Sequence, residues 1–132
     1  MFESNKTIFG SDKTTVVTYD NSHRELVKSG ADKIKEVFES GDKKLIREIL
    51  FCLDYYLDPY YNCRLPHENE VYELIQKLLI TTDDDDIIDD CIQLIGDYCA
   101  TDINILMDGF DKIKESKQAE VRDMLHWGGW IH

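Results

Sequence analysis

The sequence predicts an all-α protein, on three observations. From about Asn21 onward the apolar residues recur with helical period. The breakers fall between these stripes, with both prolines confined to the single loop "DPYYNCRLP". The stripes also superimpose on one another when the chain is slid along itself. A chain of 132 residues with 42% apolar content holds one modest core, so residues 1–132 are expected to form a single domain.

Residues 6–19, "KTIFGSDKTTVVTY", are the exception to helical patterning. Their β-branched and aromatic residues around a Gly-Ser-Asp-Lys turn suggest a short β-hairpin or an ordered extended arm, making residues 1–20 an N-terminal appendage. The first helix follows on Leu26, Val27, Ile34, Val37 and Phe38, with Ser29-Gly30 as an interruption point and Gly41 as its end. A second, from about Asp42 to Leu57, carries a wide apolar face of Leu45, Ile46, Ile49, Leu50, Leu53 and Tyr56. After the proline loop a third runs from about Glu68 to Ile80. The fourth is the stretch "TTDDDDIIDDCIQLIGDYC", a fifth spans about Thr101 to Lys114, and a short sixth passes through Val121, Met124 and Leu125.

A shift of 42 residues matches Phe38 with Ile80, Asp42 with Asp84, Leu45 with Ile87, Ile49 with Cys91, Leu53 with Ile95 and Tyr56 with Tyr98. A further shift of 33 matches Ile80 with Ile113, Ile88 with Val121 and Ile92 with Leu125. Each site shares the layout of helix, short polar turn and acid-led helix, although any two amphipathic helices align to some degree. Three degenerate antiparallel helical hairpins are expected. The segments "GDKKLIREILFCLDYYL", "DDDDIIDDCIQLIGDYC" and "KQAEVRDMLHWGG" resemble the second helices of HEAT-type repeats, over about residues 22–127.

The charge of the chain is −12, and it is localised: residues 81–110 hold nine acids and no Lys or Arg. Such a balance disfavours nucleic acid and anionic membrane as partners and favours a basic protein. A local field also steers a partner as diffuse charge cannot. Six of the eight residues from Asp83 to Asp90 are aspartates. With Thr82 as N-cap, Asp83, Asp84 and Asp85 fall in the first helical turn, where they meet the positive end of the helix dipole. If Ile87, Ile88, Cys91, Ile92 and Ile95 are buried, then Asp86, Asp90, Gln93 and Asp97 form an acidic ridge on the opposite face. A solvated face without a role is the plain alternative.

The second unusual stretch, "LDYYLDPYYNC", adds Asp58 and the tyrosines Tyr55, Tyr60 and Tyr61, which lie off the core stripe or in the loop. Tyrosine is enriched at interface hot spots, and the same rings also serve to pack a loop onto helices. Trp127 and Trp130 sit in "LHWGGWIH", where a Gly-Gly turn folds the tail back and His126 reads as a packed helix-end residue.

No catalytic, metal or cofactor site is expected. The aspartate run fails the calcium-loop pattern, with Ile88 where glycine is required and Leu94 where a glutamate is required. "HENEV" lacks the second histidine of the helical zinc motif, and Cys63 with His67 finds no second ligand pair. Cys52, Cys91 and Cys99 fall in apolar helical patterns and are expected as buried free thiols. No run of 18 apolar residues occurs, and "MFESNKTIFG" lacks the order of a secretory signal, so a cytoplasmic location is expected.

A small acidic HEAT-like chain is similar in architecture and charge to the bacterial immunity proteins of polymorphic toxin and contact-dependent growth inhibition systems. That resemblance implies a cognate basic toxin domain, often a nuclease, as the partner. Binding would run through Asp86, Asp90, Asp97, Asp58, Tyr55, Tyr60 and Tyr61. A non-inhibitory HEAT-like adaptor or scaffold is the alternative, and a Mg²⁺-dependent enzyme is the third reading.

Overall fold

The computed structural model describes residues 17–99 and 101–131. The fold is all-α, with no strand among the described residues. The hairpin or arm expected over residues 6–19 lies, up to residue 16, outside them. Of its end, Val17 and Tyr19 are buried, and Tyr19 packs edge-on against Phe51 at 5.1 Å.

Seven helices follow in order: α1 (Asn21–Ser29), α2 (Ala31–Glu39), α3 (Lys43–Leu57), α4 (Glu68–Thr81), α5 (Asp85–Tyr98), α6 (Asn104–Asp108) and α7 (Gln118–Trp127). They pack in two layers. In one, α4 lies between α2 and α6; in the other, α5 lies between α3 and α7, with α1 against α3. The core sits between the layers, where α4 meets α5 and α2 meets α3.

The two polar turns related by the 42-residue shift are built alike. In the first, the Asp42 N–H donates to Ser40 Oγ (3.1 Å), and Asp42 Oδ1 accepts from the Leu45 N–H (3.1 Å). In the second, the Asp84 N–H donates to Thr82 Oγ1 (3.2 Å), and Asp84 Oδ1 accepts from the Ile87 N–H (3.0 Å). A hydroxyl thus fixes the capping aspartate, which satisfies a donor that the first helical turn would otherwise leave open. Asp84, not the expected Thr82, is therefore the N-cap of α5, and Thr82 closes α4 instead. The turn before α7 is different: a 3-10 segment, Glu115–Lys117, leads into a helix with no side-chain cap.

Two expected helices are broken. Gly30, at φ 143°, separates α1 from α2. The helix expected over Thr101–Lys114 reduces to α6 and a 3-10 turn, Phe110–Lys112. Gly109 lies at the second break and packs closely on α4, where a Cβ would stand 2.6 Å from Ile80 Cδ1. Gln76, buried in α4, fastens α6 by accepting from the Leu106 N–H (3.0 Å) and donating to the Asp102 carbonyl (3.1 Å). Tyr72 likewise donates to the Tyr98 carbonyl at the end of α5 (2.9 Å).

All four cysteines are free: Cys52 and Cys91 are buried, and Cys63 and Cys99 half-buried. The tail folds back as the Gly-Gly turn suggested, with the Trp130 N–H donating to the Leu125 carbonyl (3.0 Å) and its ring over Gly128. His126, expected to be packed, is exposed beside the fully projecting Trp127. No described helix is long and apolar enough to cross a membrane.

Candidate functional site

The acidic ridge of α5 divides: Gln93 and Asp97 are exposed as expected, Asp86 is half-buried and Asp90 is fully buried. Because α5 touches α3, α4 and α7, burial is not confined to one stripe, and the ridge lies along the seam with α3. The two helices run parallel, since residues near both N-termini pair and residues near both C-termini pair. The ends of this seam, about 16 Å apart along α3 from residue 47 to residue 58, are chemically opposite.

At the N-terminal end five carboxylates meet a cation: Asp84, Asp85, Asp86, Asp89 and Asp90. Asp90 is fully buried, not exposed as the ridge required, and Arg47 engages it bidentately, Nε to Oδ2 at 2.7 Å and Nη2 to Oδ1 at 3.2 Å. Arg47 Nη1 also lies 3.9 Å from Asp86 Oδ2. Burial pushes the Asp90 carboxyl up to about 6, against the lowering pull of Arg47. For Arg47, burial works against the charged form, but the hydrogen bonds and charge of Asp90 hold its pKa above the ordinary value. Lys43 approaches Asp84 (3.6 Å), Lys114 pairs with Asp85 (2.7 Å) and Lys117 with Asp89 (2.9 Å). Lys114 reaches the Asp83 carbonyl as well (3.2 Å). The segment that lacks bases in sequence is thus supplied with them from α3 and from residues 114–117.

The C-terminal end has carboxylates without cations. Asp54 and Asp58 of the α3 end come together with Asp97 and Tyr98 of the α5 end, and none of the three aspartates has a basic partner among the described residues. The Tyr98 hydroxyl donates to Asp58 Oδ2 (3.4 Å) and also bonds Asp54. Burial raises the Asp54 carboxyl; the Tyr98 bond lowers it, and the charges of Asp58 and Asp97 raise it further. Asp97 is raised too, by burial and then by Asp58. Both helices end here with no basic residue in the last turn, so the negative ends of two helix dipoles add to the field.

Asp58 joins this cluster to the tyrosines. Its Oδ1 accepts from the Tyr60 N–H (2.9 Å) and so caps the 3-10 turn Pro59–Tyr61. Tyr61 stacks on Tyr55 (4.5 Å between centroids), and Tyr60 stands edge-on to Tyr61 (5.2 Å). Tyr60 is 84% exposed and Tyr61 47%, so neither ring is used up in packing the loop.

Of the residues expected from sequence, Asp58, Asp97, Tyr55, Tyr60 and Tyr61 are gathered at one end of the seam, whereas Asp86 and Asp90 belong to the other. Asp54 and Tyr98 were missed. The i, i+4 spacing of Asp54 and Asp58 was a usable signal once α3 is set beside α5. Among the described residues, no three His, Cys, Asp or Glu side chains converge as a metal site requires. No protein-family model matches the chain, nor does any curated protein or solved structure.

Proposed function

We propose that the C-terminal end of the α3/α5 seam binds a basic protein partner, and that the chain acts as a cytoplasmic immunity protein neutralising a cognate basic toxin domain of nuclease type. The observation that carries this reading is the adjacency of three uncompensated carboxylates, Asp54, Asp58 and Asp97, to the projecting rings of Tyr60 and Tyr61. A partner's Lys or Arg would relieve the repulsion between these carboxylates, and the tyrosines would supply the desolvated contact area. The surface a nuclease uses for phosphates fits such a complement. The layered helices and the shared Ser40/Asp42 and Thr82/Asp84 turns support a degenerate HEAT-like architecture, with α6 and α7 as a shortened third hairpin.

The test is co-expression with the terminal domain of a secreted toxin encoded beside this chain. The wild-type chain is expected to restore growth, and Asp58→Asn/Asp97→Asn with Tyr60→Ala to abolish the rescue while retaining the fold by circular dichroism. The charge changes should slow association in a salt-dependent way, and Tyr60→Ala should speed dissociation with little salt dependence. Binding without any growth rescue would favour the adaptor reading. No binding through this end would remove the proposal.

A further inference from the structure

The tyrosine cluster has a second neighbour of opposite charge. A groove of about 560 Å³, which Tyr55 lines and Asp58 does not, opens between α1, the end of α3 and the loop before α4. Arg24, Lys28 and Arg64 line it, together with Tyr55, and no acid does. Asn62, in the left-handed conformation at φ 55°, turns the chain along its edge.

Arg24 is the telling residue. Its guanidinium lies over the faces of Tyr19 (5.3 Å) and Tyr55 (5.4 Å) and bonds the Tyr19 hydroxyl, but it forms no ion pair among the described residues. In a chain with 27 acids against 15 bases, a half-buried arginine without a carboxylate is not explained by a shortage of acids. Arg47, the other inward-facing arginine, is fully matched by Asp90. A guanidinium offers five donors in a rigid fork suited to a carboxylate, and stacking on two rings pre-orients it. Lys28 is tethered to Glu25 (3.3 Å) in an exposed pair that is exchanged for another carboxylate at little cost, whereas Arg64 is held bidentately by Glu68 (3.1 and 2.8 Å) and contributes its charge to the groove's rim only.

We infer that this groove receives an acidic side chain of a protein partner, so that the surface is bipolar: bases of the partner meet Asp54, Asp58 and Asp97, an acid of the partner meets Arg24, and Tyr55 with Tyr61 lies between. The inference rests on the proposed binding reading and adds to it a requirement on the partner's charge pattern. A uniformly basic surface would leave Arg24 unmatched, and a like charge set against it would be rejected, which gives register and selectivity.

Amide-resolved NMR titrations with two blocked hexapeptides, oligoglutamate and oligolysine, separate the two claims. Oligoglutamate is expected to shift the amides of Arg24, Asn62 and Arg64 in spite of the chain's net charge, and oligolysine those of Asp58, Asp97 and Tyr60. Arg24→Gln and Lys28→Gln should each weaken oligoglutamate binding by about fivefold and leave oligolysine unaffected. Lys28→Gln removes only an exposed side chain, so a folding defect in Arg24→Gln would not obscure the result, and Arg24→Lys should recover part of the affinity. Failure of oligoglutamate to perturb the groove overturns the inference, as does a response to inorganic phosphate without one to oligoglutamate. Failure of oligolysine at Asp58 and Asp97 overturns instead the reading on which it rests.

Discussion

One seam between two parallel helices carries aspartates at both ends, and the two ends use them in different ways. Near the N-termini of α3 and α5, Asp84, Asp85, Asp86, Asp89 and Asp90 are met by Lys43, Arg47, Lys114 and Lys117. Near the C-termini, Asp54 and Asp58 share the hydroxyl of Tyr98, Asp58 also accepts from the Tyr60 amide, and Asp97 faces the charge of Asp58 with no cation beside it among the described residues. The same residue type therefore stabilises the fold at one end and strains it at the other. The uncompensated end, next to projecting aromatic rings, is the one proposed above to bind a partner; the compensated end is a structural device.

The largest effect should come from breaking the compensated end on one side only. Asp90→Ala leaves the Arg47 guanidinium buried without its bidentate partner and is expected to cost about 3–5 kcal/mol in denaturant unfolding. Arg47→Met/Asp90→Leu, which removes both charges and keeps the volume, should recover most of that loss. Equal losses in the single and double variants would mean that the ion pair itself stabilises the fold, beyond the cost of leaving one charge without the other.

Smaller losses are expected from the two matched turns. Asp42→Ala and Asp84→Ala each remove a cap to a backbone N–H three residues on and should each cost about 1 kcal/mol. Similar values would establish the turns as energetically equivalent. A much larger loss at Asp84 would assign it a further role through Lys43.

Much of this was legible in the sequence. The 42-residue shift that matched Asp42 with Asp84 located two helix starts of the same construction, and Pro59 and Pro66 bounded the loop between α3 and α4. The features that were not legible depend on tertiary placement. Asp90 falls on the polar side of a helical wheel that assumes one buried face, and α5 has three neighbours. The lysines that offset the aspartate run arrive from 28 and 29 residues away, beyond any local count of charge. The close approach of Gly109, at the end of α6, to Ile80 of α4 is likewise not revealed by spacing alone. Asp54 hid within an apolar stripe and became a site residue only when α5 was set beside α3.

The most direct test of the contrast is the unfolding free energy of Asp54→Asn/Asp97→Asn beside that of Asp86→Asn/Asp90→Asn, measured at pH 7 and again at acid pH. Burial and mutual repulsion raise the Asp54 and Asp97 carboxyls above the unfolded value, so the native state binds more protons there than the unfolded chain. What these two groups contribute to stability is therefore greatest at low pH and is lost as pH rises through their folded pKa values. Removing their charge should stabilise the protein at pH 7, with a gain that fades on acidification, while the Asp86/Asp90 variant should be clearly destabilised at pH 7. A loss of stability at pH 7 from Asp54→Asn/Asp97→Asn would contradict the account, because the C-terminal carboxylates would then be holding the fold together as those at the other end do.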